Sequence, residues 1–440
     1  MNEPLDLIVR ADRAVIDGAE RAAAVGVRDG EIVAIGEVDA PWTAPSDERL
    51  GEDEVLLPGM VDTHVHVNDP GRTEWEGFET ATRAALRGGA TTIIDMPLNS
   101  LPPTTTVEAL DAKRAAAQGN CFVDVGFWGG AIPGNLDDLL PLYDEGVFGF
   151  KCFLIDSGVP EFPPLSAAEL DTYLRRTALL GALLIVHAED ETTITEAHGP
   201  AYADFVASRP DASEVTAIER VIDAVRRSGG RAHILHLSSA QALPAIRAAK
   251  AEGLPITVET CPHYLTFAAE TIRDESTAHK CCPPIRSEAN RSQLWEALAD
   301  GTIDCIVSDH SPCTVDLKTP DFGTAWGGVA SVQLALAAVW TEARQRGHSL
   351  AAVARWMSEK PSALVGLASK GSIEVGRNAD LVAFAPDETI TVDAATLEHK
   401  NKLTAYQDLT LTGVARRTWL RGVPATTERP IGQFLTRGKP

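Results

Sequence analysis

The sequence predicts an α/β protein: a TIM-like (β/α)8 barrel with a small β-sandwich unit built from both chain ends. Three observations predict it. Eight short apolar runs alternate with helix-patterned segments through the middle of the chain, both ends are rich in short alternating strands, and polar residues recur where the apolar runs stop. With 440 residues the chain exceeds one ordinary compact core but accommodates a barrel plus an attached unit.

The N-terminal stretch LDLIVRADRAVIDG…AAAVGVRDGEIVAIGEV alternates apolar and polar residues and carries a hairpin signal at Asp29-Gly30. The C-terminal stretches GSIEVGRNADLVAFAPDETITV and LTLTGVARRTWLRGVPA have the same character. Since chain ends often lie close together, residues 1–57 and 371–440 are expected to form one β-sandwich unit with a tail, leaving 58–370 for the barrel. The eight barrel strands are expected at Met60 to Val65, Thr91 to Met96, Cys121 to Trp128, Gly149 to Leu154, Ala182 to His187, Ala232 to Leu237, Pro255 to Glu259 and Ile303 to Ser308. Between them lie helical patterns such as WEGFETATRAALRGG and AQALPAIRAAKAEG, both ending on glycine.

Composition narrows the function. A hydrophobic fraction of 44% with 23% charged residues describes a globular chain, and 39 basic against 62 acidic residues give a formal charge of -23. Such a charge repels nucleic acid and anionic membrane surfaces, so a small molecule is the expected partner. The start shows no basic-then-apolar leader and no apolar run approaches membrane-spanning length, which reads as cytoplasmic. The seven cysteines form no C-x-x-C pair and read as reduced structural thiols.

In a barrel the active site lies at the C-terminal ends of the strands. Those ends carry His64 and His66, Lys151, His187, His236 and Asp309. His64 and His66, two residues apart on a strand, share a face and can reach one cation. Lys151 sits among apolar residues in GVFGFKCFLI, where an ordinary lysine would extend its ammonium to solvent. Buried near cations, its amine would instead be neutral and could add carbon dioxide, giving a carboxylate-like bridge between two metals. His187 and His236 close two further strands. His233 competes with His236, but alternation places it on the opposite face, and likewise turns His310 away from Asp309. Four imidazoles with carboxylate oxygens suit zinc or another borderline divalent ion, and this many donors suits two ions. Such a site would hold a metal-bound hydroxide beside a polarised carbonyl.

The set His64-x-His66, Lys151, His187, His236 and Asp309 resembles the amidohydrolase superfamily, in its branch of cyclic amidases with a carbamylated lysine: dihydroorotase, hydantoinase (dihydropyrimidinase) and allantoinase. The longer runs HVHVNDPGRTEWEGF, DMPLNSLPPTT, GFKCFLIDSGVPEFP and VSDHSPC look most like allantoinase. The resemblance implies His64 and His66 on the first metal, His187 and His236 on the second, carboxylated Lys151 as the bridge, and Asp309 on the first metal as proton shuttle. It implies two divalent ions, with zinc first and cobalt, manganese or iron as alternatives, a homo-oligomer (commonly a tetramer), and hydrolysis of allantoin to allantoate. Where dihydroorotases carry an Arg for the substrate carboxylate, two residues after the second His, this chain has Asn68, which suits a neutral ring. Hydantoinases also take neutral rings and stand as the alternative. Asn68, Asn99 and Ser311 are the expected substrate contacts.

Overall fold

In the computed structural model, which describes residues 4–438, the eight expected barrel strands form Met60–Val65, Ala90–Asp95, Asp124–Phe127, Phe150–Phe153, Leu183–His187, Arg231–Ile234, Ile256–Thr260 and Cys305–Ile306. Successive strands pair in parallel, with Gly129–Gly130 extending the third strand toward the fourth. The ring closes between the last strand and the first, where His66 N–H donates to the His310 carbonyl at 2.8 Å and Asp62 accepts from Ser308 N–H. A barrel so closed leaves no edge open to another chain.

Helices cover the outside and bury their apolar faces on the strands. The helix Ala167–Leu180 starts on a capping box, with Ser166 and Glu169 each satisfying the other's backbone N–H, and ends on Gly181 at φ 68°. Phe78–Arg87 and Leu243–Ala251 are followed by Gly89 at φ 86° and Gly253 at φ 79°, which is the terminating role expected from sequence. The first of these begins later than its sequence pattern suggests: Trp75 to Gly77 stay in the loop, with Trp75 edge-on to Trp326, 4.9 Å between ring centroids.

The chain ends build one hydrogen-bonded sheet of eight strands. Its centre is Leu7–Ile16, flanked by Ala19–Arg28 on one side and by Ser46–Arg49 and Val55–Pro58 on the other; Val55–Pro58 in turn pairs antiparallel with Leu381–Thr391 from the far end of the chain. The Asp29-Gly30 hairpin forms, with φ of 52° and 84°, the mirror-image turn that suits strand twist. Residues 1–3 and 439–440 of the expected boundaries lie outside the described residues. The C-terminal part does more than complete this sheet. His399 packs on His310 at the barrel mouth, 4.8 Å between centroids, and Phe434 bridges to Val125 of the third barrel strand. A buried cluster in which Lys370 meets Asp124 and Asp380, and Arg421 meets Asp124, fastens the sheet to the barrel. All seven cysteines are free, and among the described residues no helix is long and apolar enough to cross a membrane.

Candidate metal centre and active site

The six strand-end residues converge. His64 Nε2 lies 3.1 Å from Asp309 Oδ1 and 3.5 Å from Lys151 Nζ, and His66 Nε2 lies 3.7 Å from the same Asp309 oxygen. Ring centroids separate His64 from His66 by 5.4 Å, His64 from His236 by 5.5 Å and His236 from His187 by 4.6 Å. The floor they make belongs to a cavity of about 750 Å³, lined by His66, Lys151, His187, His236 and Asp309 together with Asn99 and Ser311. His64 is wholly buried behind it.

Burial sets the protonation states. It drives His66 and His236 well below the ordinary imidazole range and lowers His187 despite the opposing pull of Glu189, so these three rings are neutral lone-pair donors. Lys151 is 1% exposed, its Nζ 3.5 Å from the His64 Nε2 imidazole nitrogen, and no ion pair to a carboxylate is seen for it among the described residues. Burial lowers it to about 8 against the pull of Asp309 and Glu259. Burial also raises Asp309, offset in part by His64 and Lys151. The donor set fits divalent cations: His64, His66 and Asp309 present ligand atoms all within 4.8 Å of one another, and the buried Nδ1 atoms of His66 and His236 have no protein partner.

Two carboxylates that the sequence reading gave no role stand behind the histidines. His64 Nδ1 lies 2.6 Å from Glu259 Oε1, and His187 Nε2 lies 2.8 Å from Glu189 Oε2. Each fixes its ring's tautomer and leaves the other nitrogen free, the arrangement characteristic of metal-bound imidazoles. Burial opposes ionisation of both, but His64 and His233 hold Glu259 at about 2, and Arg209 with His187 holds Glu189 at about 2. Glu259 had a visible signal, an acid closing the apolar run PITVET at a strand end.

Two expectations about orientation change and one holds. Asn68 does not line the cavity: it is wholly buried, donates from Nδ2 to the Pro312 carbonyl at 3.2 Å and accepts from Asn99 Nδ2 at 3.1 Å. It supports Asn99, so it gives no direct reading of substrate charge. His233 does not turn out of the barrel, because the regular strand stops at Ile234 and His236 adopts φ +37°, which breaks the alternation. Both histidines face inward at different depths. His310 does turn away from the cavity, its Nδ1 accepting from Ser331 N–H at 3.0 Å. Asn68, Asn99 and Asp309 also have positive φ, 65°, 65° and 44°, so backbone strain concentrates where the polar side chains are aimed. Ser311 lines the cavity against Gly328, where a Cβ would stand 2.2 Å from the Ser311 carbonyl oxygen.

Residues 55–424 match the Amidohydrolase family. The chain belongs to that family. It is 57% identical to the allantoinase of Streptomyces avermitilis, over 98% of this chain and 99% of that protein, and 44% identical to the allantoinase of Saccharomyces cerevisiae, over 97% and 98%. Among solved structures, the L-hydantoinase (dihydropyrimidinase) of Arthrobacter aurescens superposes with a TM-score of 0.92 at 31% identity, covering 98% of this chain and all of that one. The barrel and the sheet from both chain ends are therefore an amidohydrolase architecture, and the protein is a hydrolase of this metal-dependent family.

Proposed function

We propose that the protein hydrolyses allantoin to allantoate, opening the hydantoin ring at an amide bond as a step of allantoin degradation, in the cytoplasm and as a homo-oligomer for which the resemblance implies a tetramer. One observation carries the choice of substrate: proteins named allantoinase match this chain at 44% to 57% identity over nearly their whole length, whereas the hydantoinase structure stands at 31%. The cavity chemistry agrees. Its one lining guanidinium, Arg209, is directed at both oxygens of Glu189 at 2.9 Å, and Lys280 donates to the carbonyls of Gly323 and Ala325. Both cations are thereby engaged away from a substrate carboxylate, which suits a neutral ring and disfavours dihydroorotate.

In this reading His64, His66 and Asp309 would hold one divalent cation and His187 and His236 a second, and the neutral amine of Lys151, on adding carbon dioxide and losing a proton, would supply a carboxylate-like group to both. Zinc suits the donors, with cobalt, manganese and iron compatible. When bound, the pair supplies Lewis acidity toward a ring carbonyl and lowers the pKa of water. Asp309 takes the proton of the attacking water on its carboxylate and returns it to the leaving ring nitrogen, and its burial makes it a stronger base than an exposed aspartate. Asn99, held by Asn68, and Ser311 meet the N–H and C=O groups of the ring.

A panel of allantoin, hydantoin, dihydrouracil and dihydroorotate, assayed on metal-loaded protein, tests the assignment. Allantoin should give the highest kcat/KM. A clear preference for hydantoin or dihydrouracil would move the protein to the hydantoinases, the reading that the 0.92 superposition favours.

A further inference from the structure

Beneath the cavity floor, one carboxylate touches residues of both proposed cation sites. Glu259 is the penultimate residue of the seventh barrel strand, Ile256–Thr260, and is 1% exposed. Its Oε1 accepts from His64 Nδ1 at 2.6 Å and from the His236 backbone N–H at 3.2 Å, while Oε2 lies 2.9 Å from His233 Nε2. His233 is itself anchored, its Nδ1 2.8 Å from Thr257 Oγ1. With both oxygens engaged from three directions, the carboxylate cannot rotate. Glu189 differs: among the metal-donor residues it meets His187 alone, and its other partner is Arg209.

We infer that Glu259 is a positioning residue that couples the two cation sites, fixing the His64 tautomer for one and the His236 backbone for the other. The inference rests on the binuclear reading given above. An imidazole that donates from Nδ1 to a carboxylate presents its lone pair at Nε2, and the negative partner makes that nitrogen a better ligand. At His236 the contribution is conformational. A non-glycine residue at φ +37° is strained, and the bond from its own N–H to Glu259 holds it in the conformation that turns the ring toward His64 and His187.

Glu259→Gln separates charge from shape. The amide oxygen can still accept from His64 and His236, and the NH2 group can donate to His233 Nε2 once that ring carries its proton on Nδ1 toward Thr257. The hydrogen bonds survive and the negative charge is lost. Full-length protein stripped with a chelator would be titrated with Co2+ in bicarbonate buffer, read by visible absorption against a competing chromophoric chelator, with thermal unfolding of the metal-free forms alongside. Wild type should take up two equivalents. Glu259→Gln should weaken both by roughly 10- to 100-fold with little change in metal-free Tm, and Glu189→Gln should weaken one. If Glu259→Gln does not fold, Thr257→Val, which only loosens His233, decides the matter by weakening both equivalents a few-fold in parallel. Wild-type affinity at both equivalents, or loss at one alone, in whichever of these two variants decides would overturn the coupling. Uptake of fewer than two equivalents by wild type would overturn the binuclear reading, and the coupling with it.

Discussion

Replacing Lys151 by alanine should leave a folded protein that has lost its metals, and the structure supplies the magnitudes. Lys151 is fully buried and held at about 8 instead of 10.5, so at pH 7 the folded state bears an ammonium that costs it about 3 kcal/mol, at 1.36 kcal/mol per pH unit. Alanine removes that cost together with three buried methylenes worth about 0.8 kcal/mol each, and leaves a cavity. The two effects nearly cancel, so metal-free Lys151→Ala should lie within about 2 kcal/mol of metal-free wild type at pH 7. The pH dependence gives a sharper test. Between about 8 and 10.5 the unfolded chain binds the lysine proton and the folded chain does not, so wild type gains stability with rising pH through that window. The variant has no such term, and the wild-type advantage should grow by about 2 kcal/mol between pH 7 and pH 9.5. Urea unfolding of chelator-treated proteins in carbonate-free buffer measures it, with metal analysis and allantoin turnover on the reconstituted forms. The variant should retain little metal, and short carboxylic acids that fit the vacated space should partly restore activity. A difference that does not move with pH would show that burial does not suppress the amine, and a variant with two metals and full activity would remove Lys151 from the reaction.

Asp309→Asn should keep most of its metal, since His64 and His66 remain, yet lose about 10²- to 10⁴-fold in kcat because an amide cannot carry the proton; unchanged kcat in a metal-loaded variant would assign the transfer elsewhere. Asn68→Ala should leave Asn99 Nδ2 and the Pro312 carbonyl without their partner and cost about 1 to 3 kcal/mol, read as a five- to 150-fold drop in kcat/KM for allantoin with metal content unchanged. A drop confined to the melting temperature would make Asn68 purely structural. Gly328→Ala should damage the wall beside Ser311, because its φ of 134° and a contact of 2.2 Å to the Ser311 carbonyl exclude a side chain, and a variant with wild-type Tm and KM would show that the loop yields freely.

The strands were legible in the sequence because each is an apolar run flanked by turn or helix signals, and parallel strands buried on both faces need only that. The six converging residues were legible for a related reason. A histidine or lysine that ends such a run has no place in the core, and on a barrel all such ends meet at one face. What failed was the rule of alternation, and it failed at particular residues. His236 and Asn68 stand past the last regular strand residue with positive φ, where a side chain is aimed by a left-handed kink and not by strand parity. Asn68, expected in the cavity as a polar residue just beyond a strand end, lies behind Asn99, and His233, expected by alternation to point away, reaches inward to Glu259.

The partnership of Glu259 with His64 was hidden for a different reason, although its place at a strand end was visible; Glu189 lies only two residues beyond its partner His187. A sequence displays ligands as isolated polar residues at strand ends, but a supporting carboxylate acts only through its distance to another side chain 195 residues away for the Glu259–His64 pair, and no spacing encodes that distance. Physical chemistry still requires such a partner. Four buried imidazoles aimed at one point would each be free to turn about the ring axis or to exchange tautomers, and an imidazole in the wrong tautomer presents an N–H where a lone pair is needed. The structure meets that requirement from below with an acid for His64 and from the side with an acid for His187, leaving His66 and His236 with unpartnered Nδ1 atoms. These two rings have no such hold on their tautomers. Their orientation must come from packing, from the backbone bond at His236, and from whatever their free nitrogens bind, so in the metal-free protein they should be the last of the four to become ordered.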